Sequence, residues 1–411
     1  MSAHLGDIRR PRRVLFVEHN VDGTVGGSHY CLFDICRNID RNLYTPVALF
    51  FQDNPLVPAF RDSGVEVLVG SPAAGLYESP PSVQRCLISL FGTLRTAVNA
   101  VMILFIRPVQ WMRFLRHQRI DIIHLNNTFN GDHDLVLAAW LMRLPCIAHQ
   151  RGLPGATGWT EMWFGRRLAR TIAISNFVRD DLLRRGVHRD RVVLIHDGID
   201  PERVVLHKSS ADLLSYLRVM PTDRIVGIVG NVKSWKGQHV FLEAMGLVAA
   251  RYPQVRGLII GATPEPDYLL RLTELVTRFG LEANIVFTGY QRYPIDFMAI
   301  MEVVVHASVE PEPFGIVITE AMALGKPVVA SALGGPLDIV EDGVTGFLTP
   351  ADDAGSLAAR ILNLLDDPEM ARRFGVAGTR RFEQLFTAKR NVAQIEALYA
   401  ALPLRGSYSV A

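Results

Sequence analysis

Short apolar runs that recur between longer amphipathic stretches constrain this chain more than any other feature. Seven read as β-strands in the first half: RVLFVEH (13–19), TPVALFF (45–51), VEVLVG (65–70), IDIIHL (120–125), PCIAHQ (145–150), RTIAIS (170–175) and RVVLIH (191–196). Five more follow in the second half, at 224–230, 255–261, 284–289, 303–308 and 326–331. Helical stretches such as 240–253 and 267–280 lie between them, and Gly280 is placed to cap the second. Such alternation implies parallel sheets covered by helices, a doubly wound α/β fold. The series starts twice, each time with a Gly-rich turn near its beginning, and 411 residues are too many for one core. Two Rossmann-like domains are therefore expected, joined in the polar, Pro-bearing stretch 197–223. Boundaries fall at 1–205 and 206–385, with a helical segment at 386–411 expected to pack back on the first domain. Open parallel sheets bind ligands beyond the carboxyl ends of their strands. The two sheets are expected to face a central cleft that holds the active site.

Charge narrows the partners. The net charge of +2 points neither to nucleic acid nor to an acidic tail, but the charge is unevenly spread. The first 206 residues hold 24 Arg, no Lys and 19 acidic residues, a net of +5, which leaves −3 for the rest. A basic first half suits phosphates or anionic lipid, or reflects drift in composition. Cys31, Cys36, Cys86 and Cys146 form no CxxC pair and have no His at zinc-finger spacing. Reduced, mostly buried thiols and a cytosolic setting are expected. The apolar run Val14–Val17 is too short for a signal-peptide core and reads as the first strand.

Four segments carry candidate chemistry. In 306–348, Glu312 and Glu320 stand eight apart with Pro313, Phe314 and Gly315 between them, before the helical run EAMAL. Gly315, Ile316 and Val317 fall at a strand-to-helix turn, where N–H groups and the helix dipole favour a phosphate. The two carboxylates can each accept sugar hydroxyls, although Glu also favours helix N-termini for structural reasons. In GIVGNVKSWKGQ (227–238), Lys236 is a cation suited to a diphosphate. In 17–30, Gly26 and Gly27 let the backbone come close to a ligand, or form only a flexible loop. In AHQRG (148–152), His149 ends a strand and Arg151 follows it, a place where a lone His is more often structural. His124 is expected to line the cleft or the core behind it. Asp352–Asp353 reads as a helix cap, and no metal site is evident.

The 306–348 segment closely resembles the E-x7-E region of glycosyltransferase family 4, the group 1 glycosyltransferases, and the resemblance extends over nearly the whole chain. It implies the GT-B fold and a retaining transfer of a sugar from a nucleotide-sugar donor, without cofactor or metal. It implies that Glu312 contacts donor-sugar hydroxyls and that Glu320 holds the ribose. Backbone N–H groups at Phe314, Gly315, Ile316 and Val317 would meet the diphosphate or sugar. Lys236–Gly237 matches the end of the family's G-R-x-x-x-x-K-G pattern, but Asn231 stands where the family has Arg. That change removes a guanidinium from the donor site; Lys233 or an Arg of the basic first half is a candidate substitute. The resemblance further implies that His149 points at the donor sugar, that the loop of Gly26 and Gly27 approaches the donor phosphates and acceptor, and that the Tyr290 and Gln291 backbone meets the base. Asp197 replaces the Asn of a turn before the linker. In the mechanism proposed for such enzymes, the leaving phosphate oxygen accepts the acceptor's proton.

The stretch 86–119 stands apart. Two apolar blocks broken by Arg95 and Asn99 precede Arg107, Trp111, Arg113 and Arg116. No uninterrupted run reaches the ~20 residues a membrane span requires. A helix pair on an anionic membrane surface is expected, or else an ordinary helix packed on the sheet. Surface attachment at the inner face of the cytoplasmic membrane suits a polyprenyl-linked or glycan acceptor in cell-surface polysaccharide synthesis. Two rival readings remain: a non-catalytic sugar-nucleotide binder, and an epimerase or phosphorylase of the same fold.

Overall fold

The computed structural model describes residues 10–19, 25–70, 105–128, 132–153 and 159–402. The apolar blocks of 86–104, Cys86 and loop residues 20–24 lie outside the described residues.

The chain forms two compact units. Unit 1 comprises Met1–Ile174, Val178–Ile195 and Val392–Ala411; unit 2 comprises Ser175–Phe177 and His196–Asn391. The chain thus passes into unit 2 after 195, not 205, and returns after 391, not 385. The physical reason lies at Ile199, which bridges Thr387, and at Gly198, where a Cβ would fall 2.4 Å from the Thr387 carbonyl oxygen. This contact ties 196–200 to the end of unit 2.

Unit 1 holds a parallel sheet of β1 (Arg12–Glu18), β2 (Tyr44–Phe50), β3 (Glu66–Val69), β4 (Ile122–Leu125), β5 (Cys146–Gln150), β6 (Arg170–Ala173) and β7 (Val192–Leu194). Its order is β3-β2-β1-β4-β5-β6-β7. Successive side chains of a strand point to opposite faces. Val14 and Phe16 accordingly pack with Leu32, Ile35 and Tyr399, whereas Leu15 and Val17 pack with Trp111, Leu115 and Leu135. Burial on both faces is why these strands read as continuous apolar runs.

Unit 2 repeats the plan with β8 (Arg224–Val229), β9 (Val255–Ile260), β10 (Ile285–Gly289), β11 (Val303–His306), β12 (Val328–Ser331) and β13 (Gly346–Thr349), in the order β10-β9-β8-β11-β12-β13. The last strand was not legible in the sequence. It has four residues and begins with a glycine, which reads as a turn. That glycine is there because a Cβ at Gly346 would sit 2.5 Å from the Val328 carbonyl oxygen of the neighbouring strand.

Helices that matter below are α1 (Gly27–Asn38), α2 (Arg107–His117), α3 (Gln238–Arg251), α4 (Ile316–Ala323), α5 (Ala354–Asp366) and α6 (Ala388–Ala400). Asp353 caps α5 by accepting from the Ser356 N–H at 2.9 Å. Gly280 ends its helix at φ +64°. In each sheet the strand order reverses once, between β1 and β4 and between β8 and β11. Such switch points open a crevice at the carboxyl ends of the strands.

Candidate active site

At the switch point of unit 2, the loop after β8 and the loop after β11 meet. Gly237 has φ +72°, and a Cβ there would lie 1.9 Å from the Ala307 carbonyl oxygen. Only glycine lets the Lys236 turn rest against the end of β11. Lys236 Nζ then donates to Glu312 Oε1 at 2.8 Å and lies 4.3 Å from the centre of the Trp235 ring. On the other carboxylate oxygen, Glu312 Oε2 meets His306 Nε2 at 2.6 Å and accepts from Ser308 Oγ at 3.2 Å. Burial alone would raise the Glu312 pKa, but Lys236 and His306 beside it outweigh burial and hold the carboxyl well below its ordinary range. Sequence reasoning singled out Lys236 and Glu312 and missed His306 and Ser308. Their only signal was position, at the carboxyl end of a strand in the switch-point loop.

The Gly334–Gly335 pair builds this loop. Gly335 N–H donates to the Glu312 carbonyl at 2.7 Å, Gly334 bridges Glu312, and a Cβ on Gly335 would lie 2.3 Å from Phe314 Cα. Phe314 is buried and packs near His196 and Phe386, so its ring anchors the turn. Gly315, at φ +109°, opens α4 and accepts from the Ile318 N–H at 2.9 Å. Ile316 and Val317 form the helix's first turn, where N–H groups lack intrahelical partners. Glu320 lies one turn further on, with Arg203 Nη2 4.0 Å from its carboxylate. Arg203 also went unnoticed in the sequence.

The remaining donor-side candidates spread outward. Asn231 is exposed just past β8, and its carbonyl accepts from Gln238 Nε2 at 3.2 Å. Tyr290 is 71% exposed and Gln291 donates to the Thr288 carbonyl at 2.9 Å. Both follow β10, two strands from β8 at the sheet's edge.

At the switch point of unit 1 the polar groups are buried. Glu18 ends β1 and accepts from the side-chain amides of Asn126 and Asn127. Burial raises its pKa to about 6, although the amides and Arg151 pull the other way. Glu18 was not singled out from the sequence, where it reads as the next-to-last residue of a strand. Gly26 and Gly27 start α1, with the Gly26 N–H donating to His29 Nδ1 at 3.2 Å. His149 is fully buried on β5, and Arg151 donates from Nε to the Asn126 carbonyl at 3.0 Å.

The membrane candidates divide. Trp111 is 1% exposed and packs in the core with Leu115, which corrects the expectation that its ring lies at an interface. Its apolar body serves the sheet instead. Arg107 lies 4.0 Å from Asp134, whereas Arg113 and Arg116 are exposed beside Phe105, Ile106 and Val109, which are exposed too. Among the described residues no helix is long and apolar enough to cross a membrane. Among the same residues no group of three His, Cys, Asp or Glu is placed to hold a metal ion. Cys36 and Cys146 are buried thiols whose pKa burial pushes up.

Known proteins match this arrangement. Residues 217–381 match the family described as "Glycosyl transferases group 1", and residues 56–203 match "Glycosyltransferase Family 4". The chain is 26% identical over 239 residues to the capsular polysaccharide biosynthesis glycosyltransferase CapM of Staphylococcus aureus, covering 56% of this chain and 60% of that protein. It is 29% identical over 352 residues to alpha-maltose-1-phosphate synthase of Mycolicibacterium smegmatis, covering 78% and 86%. For some curated relatives, then, the matched part spans only between half and two thirds of their length. Among solved structures, HepE of Anabaena in complex with UDP and glucose is 26% identical, with a TM-score of 0.75 over 95% of this chain and 100% of that one. A glycosyltransferase of Rickettsia africae shares the fold at 19% identity and a TM-score of 0.80, covering 95% and 98%. The chain belongs to the group 1 glycosyltransferases, glycosyltransferase family 4, and has the two Rossmann-like α/β units of the GT-B fold.

Proposed function

We propose that this member of the group 1 glycosyltransferases moves a sugar from a nucleotide-sugar donor to a glycan or lipid-linked acceptor, with retention at the anomeric carbon. The observation that carries this reading is the carboxylate of Glu312, held ionised between Lys236 and His306 at the switch point of unit 2, one turn from the start of α4. An ionised carboxylate accepts sugar hydroxyls on both oxygens. A donor diphosphate would draw Lys236 from Glu312 and sit on the N–H groups at Phe314, Gly315, Ile316 and Val317. Glu320 is suited to the ribose, and the backbone at Tyr290 and Gln291 to the base. In the transfer, the anomeric C–O bond to the diphosphate breaks and a C–O bond to the acceptor forms on the same face. The acceptor's proton passes to the leaving phosphate oxygen. Charge grows on the diphosphate, and Lys236 stabilises it. Asn231 supplies no cation here. His149 in unit 1, with Gly26 and Gly27, is proposed to serve the substrates from that unit.

UDP and glucose bound to HepE of Anabaena, and CapM's part in capsular polysaccharide biosynthesis, support a nucleotide sugar and a cell-surface product. A thermal-shift screen of UDP-, GDP- and ADP-sugars tests the donor, followed by release of nucleoside diphosphate with and without acceptor. Acceptor-dependent release supports transfer. Binding without turnover would leave a sugar-nucleotide binder, and release without acceptor would point to another chemistry.

The exposed Phe105, Ile106 and Val109 beside Arg113 and Arg116 favour a second element of the reading, peripheral attachment to the inner face of the cytoplasmic membrane. Each basic residue near an anionic surface contributes roughly 1 kcal/mol. Sedimentation with anionic liposomes should weaken in high salt and on Arg113→Glu with Arg116→Glu. Absence of sedimentation would end the membrane proposal.

A further inference from the structure

Unit 1 contains a buried chain of hydrogen bonds that reaches from the last helix to His149. Tyr399 on α6, His124 on β4 and His149 on β5 are all fully buried. Tyr399 Oη lies 2.5 Å from His124 Nδ1, and His124 Nε2 lies 3.2 Å from His149 Nδ1. Arg151 Nη2 also approaches His149 Nδ1, at 3.2 Å, while its Nε is bonded to the Asn126 carbonyl.

The hydrogens of this chain follow from one fact: a guanidinium donates and never accepts. His149 Nδ1 facing Arg151 must therefore be the bare, accepting nitrogen, so the proton of the neutral ring sits on Nε2. Since His149 Nδ1 offers only its single lone pair, the His124 contact must also be a donor sharing it, so His124 Nε2 carries the hydrogen. Burial, with His149 and Arg151 nearby, holds the His124 pKa well below its ordinary value, so that ring carries one proton only. Its Nδ1 is then bare and accepts from the Tyr399 hydroxyl, which burial keeps protonated. Each bond has a single allowed direction.

We infer that Tyr399, through His124, acts with Arg151 as a positioning residue that locks His149 in the form with hydrogen on Nε2. His149 then presents a neutral N–H donor and does not serve as a general base at that nitrogen. The consequence for turnover rests on the proposed glycosyl transfer: an N–H suits a hydroxyl or phosphate oxygen of the substrates. The tautomer itself does not depend on that reading.

The test uses the full chain labelled with 13C and 15N in its histidines, read by NMR at neutral pH. His149→Asn and His124→Asn identify the two rings by difference. Both rings should show a bare Nδ1 and a protonated Nε2. Tyr399→Phe should move His124 toward a mixture of tautomers and perturb the His149 ring. Tyr44→Phe serves as the control: the Tyr44 ring centre lies 5.3 Å from that of Tyr399, but its hydroxyl donates to the Glu396 backbone carbonyl, outside the relay. It should leave both rings unchanged. With nucleotide sugar, Tyr399→Phe should lower kcat by about tenfold and leave donor KM within about twofold, as expected when a group acting in the transition state is loosened. A His149 ring protonated on Nδ1, or spectra that ignore Tyr399→Phe, would overturn the inference. If the spectra behave as described but no turnover appears in any variant, the relay stands and the transferase reading fails.

Discussion

The switch points of the two sheets share a strand order and differ in charge. In unit 2 the loops after β8 and β11 hold an ionised carboxylate between a lysine and a histidine. In unit 1 the equivalent strand ends hold a carboxyl group whose pKa is raised to about 6 and a histidine relay in which burial holds the His124 pKa well below its ordinary value. Burial acts on both carboxyl groups in the same direction. What differs is the neighbours: a lysine and a histidine within hydrogen-bond distance of Glu312, neutral amides around Glu18. Topology places a site, and a few side chains then decide whether it handles charge or directs hydrogen bonds.

The largest expected effect falls on the charged side of this comparison. Lys236→Ala should cost a factor of about 100 or more in turnover, as for removal of one stabiliser of developing charge. Steady-state kinetics with full activity in that variant would remove the distinction between the two switch points. Next comes the scaffold of the charged loop. Gly335→Ala drives a methyl group into the Phe314 backbone and should destabilise unit 2 by up to about 3 kcal/mol in denaturant unfolding.

Stability against pH sharpens the contrast. The Glu18 pKa is raised from its ordinary 4.5 to about 6, so unit 1 is favoured with that group protonated. Up to about 2 kcal/mol is lost as the pH rises from 4.5 through 6. Glu18→Gln abolishes that loss, so its stability relative to wild type should improve over this window. The Glu312 pKa is depressed, so its contribution is present at neutral pH and fades as the pH falls below the ordinary carboxylate range. Glu312→Gln should therefore look worse, relative to wild type, as the pH rises from acid to neutral. Slopes of the same sign would contradict the electrostatic difference. The smallest effect separates two carboxylates within unit 2: about tenfold in kcat for Glu312→Ala and about tenfold in donor KM for Glu320→Ala.

The sequence was informative where burial is two-sided. Twelve strands were legible because apolar runs such as Val14–Val17 and Val303–Val305 fill both faces of a sheet. Lys236 and Glu312 were legible because they sit in glycine-marked turns. His306 was not, because nothing in the residue string shows that its ring turns back on a carboxylate six residues later. The relay of Tyr399, His124 and His149 was hidden for a related reason. Its members lie 275 and 25 residues apart in sequence and meet only once the last helix is packed on the sheet. Trp111 misled because an aromatic ring among arginines has the same composition at a membrane and in a core.

Isothermal titration of the intact protein with UDP, GDP and ADP tests the central claim most directly, that the charged switch point of unit 2 is built for a nucleoside diphosphate. At least one of these should bind, its parent nucleoside should bind at least about tenfold more weakly, and Lys236→Ala should erase most of that difference. Nucleoside and diphosphate binding alike, or a Lys236→Ala protein that keeps the full preference, would contradict it.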